Sequence, residues 1–213
     1  VTGSLVRAAG EPDWSEGRER LRAVGGGMRR LVEADPELDP AEAFDGWGDG
    51  LWTSLLRQVT DQHISNASAM AIIGRLRERC GGRLPDADEF LALAGATLTE
   101  VGYSRAKIAT LTEVARRVVH GRLDAGRLAG LGDDAVRAEL TEIKGVGRFT
   151  ADGALILALG RTDVMPSADL QIRKALAELG RWDELPSVRA VDDHAERWAP
   201  WRTLAAAYLY ATL

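Results

Sequence analysis

Residues 140–151 read Leu-Thr-Glu-Ile-Lys-Gly-Val-Gly-Arg-Phe-Thr-Ala. The pattern predicts a helix ending near Leu140, a tight turn holding Gly145 and Gly147, and a second helix from about Arg148. Glycine lets a backbone approach a phosphate closely and adopt positive φ, and a helix N-terminus supplies free N–H groups. The run is therefore either an ordinary pair of helices with a glycine cap or a neutral, phosphate-gripping hairpin. Ile143 and Val146, which would anchor the turn in a core, and the Thr150–Ala151 pair favour the hairpin.

Downstream, residues 163–176 read DVMPSADLQIRKAL. Pro166 breaks the chain, and Ser167 or Asp169 can start the next helix. Asp169 is a capping carboxylate or a catalytic one, and Asp163 in isolation is a solvated loop residue. An aspartate placed a fixed distance beyond a phosphate-binding hairpin favours catalysis.

Outward from this core the chain reads as helix throughout. Period-two alternation is nearly absent, while apolar spacings of three and four recur, predicting about ten short helices and an all-α fold. Leu51, Leu55, Leu56 and Val59 give one apolar face; Ile72, Ile73 and Leu76 a second; Ile108, Leu111, Val114, Ala115 and Val118 a third. Leu155, Leu159, Leu170, Ile172, Leu176 and Leu179 supply more. Two helical lobes with a cleft between them are expected: residues 50–165 as a central bundle, and residues 166–213 as a C-terminal lobe against which residues 1–49 pack.

The formal charge of −5 argues superficially against a nucleic-acid partner. Its distribution removes the objection. Glu11–Asp49 holds five arginines and eleven carboxylates, so the rest of the chain sums to about +1. Val101–Arg122 carries Arg105, Lys107, Arg116, Arg117 and Arg122 against Glu113 alone. A hairpin that grips phosphate through amides needs few cations, which predicts a shallow salt dependence of binding. One cysteine, Cys80, excludes an internal disulfide and a cysteine-ligated cluster. No apolar run approaches a membrane span and no signal-peptide pattern opens the chain, so a cytoplasmic protein without membrane association is expected. The only lysines are Lys107, Lys144 and Lys174.

Taken together, LTEIKGVGRFTADGALILALGRTDVMPSADLQIRKAL resembles the signature of the helix–hairpin–helix DNA glycosylases. AERWAPWRTLAAAYLY (195–210), LLRQVTDQHISNASA (55–69) and LTEVGYSRAKIATL (98–111) are similar to further elements of the bacterial 3-methyladenine DNA glycosylase II branch. The resemblance covers about residues 50–213. It implies a base-excision enzyme acting on double-stranded DNA with a damaged base, as a monomer, and needing no cofactor.

By that resemblance Asp169 is the catalytic carboxylate. Lys144, Gly145, Val146, Gly147 and Thr150 form the DNA-binding hairpin, and the backbone carbonyls of Thr141, Ile143 and Val146 would hold a sodium or potassium ion. Bifunctional members carry a lysine nucleophile at the position of Phe149, so hydrolysis without strand cleavage is implied. Phe149, Gly153, Tyr210 and Trp52 are the base-pocket candidates. Phe149 and Tyr210 are alternatively core, as are Trp47 and Trp52. Gln58 matches the endonuclease III wedge, which fills the gap left by a flipped base, and His63 with Gln62 matches the alkylation-branch wedge. Each of the three is alternatively a helix-terminal hydrogen-bonding residue. Trp201 and Arg202 would support the aspartate's helix or the lobe contact.

The expected substrate is an alkylated purine such as 3-methyladenine. Uracil, other deaminated bases and oxidised bases are alternatives within the class, a non-catalytic hairpin DNA-binding module is an alternative outside it, and an all-α protein-interaction domain leaves the hairpin and Asp169 unexplained.

Overall fold

A computed structural model of the chain describes residues 13–44 and 50–212. All regular structure among these residues is helical: α1 (Trp14–Val24), α2 (Gly26–Ala34), α3 (Pro40–Ala43), α4 (Leu51–Asp61), α5 (Asn66–Arg79), α6 (Ala87–Ala92), α7 (Gly95–Val101), α8 (Arg105–Val119), α9 (Ala125–Ala129), α10 (Asp133–Thr141), α11 (Arg148–Leu157), α12 (Leu170–Gly180), α13 (Val188–Ala195) and α14 (Arg202–Tyr210), with a 3-10 turn at Glu196–Trp198. There are more helices than the periodicity predicts because α3, α6 and α9 have only 4, 6 and 5 residues, too short to show a repeat. Their starts are set by side-chain caps instead. Asp86 and Glu89 form a reciprocal capping box at α6, and the Asp124 carboxylate accepts the Arg127 N–H at α9. Such a cap is worth about 1 kcal/mol.

The described residues fall into two units, 50–159 and 13–44 with 160–212. In the first, α4 is the central element and packs against α5, α8 and α11. Leu55, Leu56 and Val59 of α4 and Leu111, Val114 and Ala115 of α8 are buried, as the predicted faces require. Each such side chain contributes roughly 1.5–3 kcal/mol of burial free energy.

In the second unit α14 is the hub. It packs against α1, α2, α3 and α12 around Leu21, Met28, Val32, Ile172, Leu176, Trp198, Leu204 and Tyr208. The change of unit falls at 159/160, earlier than the expected boundary at 165. Residues 161–164 are tied to the start of α14: the Thr203 hydroxyl donates to the Arg161 carbonyl at 2.7 Å and accepts the Val164 N–H at 3.1 Å. One predicted apolar position fails. Leu170 is 48% exposed because it is the first residue of α12, ahead of the turn whose Ile172 reaches the core.

Candidate active site and nucleic-acid interface

The hairpin lies between α10 and α11, inside the first unit. Ile143 and Val146 are buried and pin the turn, which closes through the Val146 N–H donating to the Ile143 carbonyl at 2.9 Å. Gly145 adopts φ +94, and an ideal Cβ there would sit 2.1 Å from Thr110 Oγ1. Thr110 donates to the Lys144 carbonyl at 2.9 Å. Gln62 Nε2 donates to the Gly145 carbonyl at 3.0 Å and to Thr150 Oγ1 at 2.9 Å. Side chains of α8 and of the end of α4 thus fix the hairpin from beneath.

Gly147 differs from the sequence expectation of positive φ: its φ is −100 and ψ −179, extended backbone open to any residue. A Cβ at Gly147 would meet nothing within 4 Å. The residue leaves open space over the first amides of α11, whose N-cap carries no side-chain hydrogen bond. Lys144 is exposed beside it. Arg148, at the first position of α11, lies 3.4 Å from the buried carboxylate of Asp152, which Arg137 of α10 also holds at 2.6 Å. Burial raises the Asp152 carboxyl above its ordinary range, and the two guanidiniums oppose that rise.

The structure corrects two assignments in this unit. Gln58 is fully buried, so it is no wedge. With its amide in the orientation that satisfies both ends, it accepts from Ser54 Oγ and the Ala154 N–H and donates to the Thr150 carbonyl. Trp52 is a core residue rather than a pocket wall: its indole N–H donates to the Pro85 carbonyl at 2.8 Å and its ring meets Phe90 edge-on at 5.3 Å.

Gly153 is explained by Gln58. An ideal Cβ at Gly153 would lie 2.0 Å from a terminal atom of the Gln58 amide, so the room a glycine leaves there is filled by that amide and does not open into a base pocket. Phe149, in the first turn of α11, is half-buried. Gln62 is half-buried and committed to the hairpin. His63 alone of the wedge candidates is exposed, on the α4–α5 turn with φ +59, a conformation unusual for a side chain with a Cβ. Trp47 lies outside the described residues.

The second unit holds the carboxylate. Asp169 is the N-cap of α12: its Oδ1 accepts the Gln171 N–H at 2.8 Å, and its own N–H closes a turn onto the Pro166 carbonyl at 2.9 Å. Its Oδ2 accepts the Tyr210 hydroxyl at 2.5 Å. Tyr210 is held edge-on to Phe44 at 5.6 Å. Arg202 clamps Asp163 through Nε at 2.7 Å and Nη2 at 2.8 Å, and reaches Glu196 at 3.1 Å. Asp163 is therefore a fork-bound partner rather than a solvated loop residue. The clamp ties the segment leading into Asp169 to the start of α14, and Trp201 packs on Trp14 at 5.7 Å beside Gly17.

Sequence reasoning missed Thr110, Asp152 with Arg137, and Phe44. The first is 34 residues from its hairpin partner, and no local pattern announces such a contact. Asp152 carried a weak signal, an acid inside an otherwise apolar helix face.

Among the described residues no group of three or more His, Cys, Asp or Glu side chains is placed to hold a metal ion, and no helix is long and apolar enough to cross a membrane.

Residues 56–200 match the family model described as the HhH-GPD superfamily base excision DNA repair protein. The chain is 34% identical over 163 residues to DNA-3-methyladenine glycosylase 1 of Schizosaccharomyces pombe, covering 76% of this chain and 72% of the relative. A solved structure of the 3-methyladenine DNA glycosylase of that yeast in complex with abasic DNA matches with a TM-score of 0.83 at 29% identity, over 92% of this chain and 96% of that one. A DNA-3-methyladenine glycosidase from Bacillus halodurans matches with a TM-score of 0.77 at 27% identity, over 92% and 88%. The chain belongs to the HhH-GPD superfamily of base excision DNA repair proteins.

Proposed function

We infer that the protein is a monofunctional DNA glycosylase that hydrolyses the N-glycosidic bond of an alkylated purine, such as 3-methyladenine, flipped out of double-stranded DNA. The observation that carries the reading is Asp169, a carboxylate held at both oxygens by Gln171 and Tyr210 in a chain that also bears the phosphate-binding hairpin. The names of the relatives support an alkylated base as substrate.

As the bond between C1′ and the base lengthens, positive charge builds on the sugar. A fixed carboxylate about 4 Å away is worth roughly 4 kcal/mol at an effective dielectric of 20, on the order of a thousandfold in rate. Water then adds to C1′, the base departs with the bonding electron pair, and the water's proton passes to Asp169 or to solvent. An alkylated purine that carries a positive charge leaves as a neutral base, so no positioned acid is needed. Phe149 stands where a bifunctional member would carry its amine, so the reading includes no strand cleavage.

The amides of α11 and Lys144 would take a DNA phosphate. His63 is the residue we assign as wedge, Phe149 and Tyr210 as aromatic side chains for the damaged base, and Arg202 with Trp201 as supports of the segment that carries Asp169. The carbonyls of Lys144 and Gly145 are occupied by Thr110 and Gln62. The Ile143 carbonyl accepts the Val146 N–H and keeps a second lone pair; with the carbonyls of Thr141 and Val146 it would give an all-oxygen donor set that suits a hard cation such as sodium or potassium, and such an ion would supply positive charge beside a phosphate. We take the protein to act as a monomer, in the compartment that holds the DNA, the cytoplasm where there is no nucleus.

The test is base release from a panel of duplexes carrying 3-methyladenine, 7-methylguanine, uracil, hypoxanthine or 8-oxoguanine. Release of the methylated purines, at least about tenfold faster than of the others, is expected. Preferential release of uracil or of an oxidised base would replace the substrate assignment.

A further inference from the structure

We propose, on the glycosylase reading and with His63 as the wedge, that Lys107 is a positioning residue for base extrusion. It ties the last turn of α4 to α8 and so sets where the His63 turn stands relative to the phosphate-binding hairpin. Lys107 Nζ donates to the Thr60 carbonyl at 2.6 Å, across 47 residues of sequence. Carbonyls in the last turn of a helix lack intrahelical donors, and α4 has no basic residue of its own in that turn. Lys107 supplies from α8 the cation that the negative end of α4 favours.

That bond closes a ring of three. Gln62, the C-cap of α4, donates to the Gly145 carbonyl at 3.0 Å. Thr110, three residues after Lys107 on the same face of α8, donates to the Lys144 carbonyl at 2.9 Å. The end of α4, the hairpin and α8 are thus each bonded to the other two. The rigid side of the ring is α8, whose Leu111, Val114 and Ala115 are all 0% exposed. The Thr60 side chain adds a further tie, its hydroxyl lying 2.9 Å from that of Tyr103, just ahead of α8. His63 follows Gln62 directly and is exposed, so the wedge candidate projects from a base fixed on two sides.

Lys107 differs in this from Lys144. Lys144 is exposed beside the hairpin, whereas Lys107 is half-buried with its ammonium on a carbonyl. Burial holds the Lys107 amine below its ordinary pKa, and the Asp61 carboxylate opposes that fall. Within the basic stretch Val101–Arg122, this one charge is directed into the protein. A wedge offsets the lost stacking of an extruded base only while it reaches the gap between the gripped phosphates. A misplacement of about 1 Å at such a point costs on the order of a hundredfold in rate. Without the ammonium, Thr110 and Gln62 still hold the hairpin, so the phosphate grip persists while the wedge turn loses its second anchor.

The experiment measures extrusion by the full chain on a duplex holding 2′-fluoro-7-methyldeoxyguanosine, whose glycosidic bond the electron-withdrawing fluorine protects from cleavage. A 2-aminopurine on its 3′ side reports unstacking by fluorescence. Lys107→Met and Lys107→Gln remove the ammonium, Lys107→Arg keeps a cationic donor, and urea unfolding checks that each is folded. The wild type should raise the fluorescence at saturation. Both neutral variants should lower the extrusion equilibrium at least about fivefold, with affinity for undamaged duplex within about threefold of wild type, and Lys107→Arg should recover most of the loss. If Lys107 acts through the wedge, His63→Ala/Lys107→Met should extrude no worse than His63→Ala alone. Wild-type extrusion by a folded neutral variant, no recovery in Lys107→Arg, additive losses in the double variant, or unfolding of both neutral variants would overturn the positioning role and leave the glycosylase reading standing. No fluorescence rise with the wild type would overturn the alkylpurine reading itself, and the role of Lys107 with it.

Discussion

Tyr210 donates its phenolic proton to Oδ2 of Asp169 at 2.5 Å, so the last helix of the chain reaches back to the cap of α12. With Oδ1 occupied by the Gln171 N–H, the carboxylate has one orientation. Tyr210→Phe keeps the ring against Phe44 and removes only the hydroxyl. A hydrogen bond to a charged group is worth about 1.5–3 kcal/mol, and part of it serves the transition state, so single-turnover excision should fall about tenfold. DNA affinity should change less than about threefold. Unchanged excision would show that the Gln171 N–H alone orients the carboxylate.

The Gly153–Gln58 contact makes a sharper structural prediction. The Gln58 amide is buried and bonded on both sides, so it cannot swing away from a new methyl group. Gly153→Ala should destabilise the protein by about 1–3 kcal/mol in urea unfolding. Combined with Gln58→Ala, most of that penalty should vanish, leaving the cost of the lost amide bonds. Simple additivity in the double-mutant cycle would refute the contact.

At the hairpin, Gly145→Ala meets two penalties, a left-handed backbone and the Thr110 hydroxyl 2.1 Å from the new Cβ. A loss of about 2–4 kcal/mol is expected. Gly147→Ala has neither penalty, so it should leave stability within about 0.5 kcal/mol while weakening duplex binding several-fold. Equal effects of the two substitutions on stability would contradict the geometry described above.

Alkaline pH tests the core of the first unit. Burial pushes the Tyr103 hydroxyl up to about 12, against an opposing hydrogen bond with Thr60. A pKa raised on folding means that the neutral phenol favours the folded state. That contribution is complete below about pH 10 and declines as the pH rises toward 12. Tyr103→Phe should therefore flatten the loss of stability between pH 10 and 12, read by chemical denaturation at each pH. An unaltered slope would place the alkaline sensitivity elsewhere.

Much of this site was legible in local pattern. The two glycines bracket the turn between α10 and α11, and α11 starts at Arg148, because caps and breakers act within a few residues of themselves. Asp169 as a helix cap was likewise readable. What the pattern lacked was partnership across the chain. Gln62 holds a carbonyl 83 residues away, and Tyr210 a carboxylate 41 residues away. The same gap led to the wrong expectation for Gln58 and Trp52, whose polar side-chain atoms find buried partners that a motif does not display. Leu170 fits a helical stripe in sequence yet faces solvent, since a helix's first residue precedes the turn that packs.

The most direct measurement is release of 3-methyladenine from methylated DNA by the wild-type chain and by Asp169→Asn, with duplex binding measured on both. Asparagine preserves the cap on α12, so the variant should fold and bind DNA within about threefold of wild type. If Asp169 stabilises the developing sugar cation, release should fall on the order of a thousandfold. Release by a folded Asp169→Asn protein at the wild-type rate would contradict the catalytic role of this carboxylate.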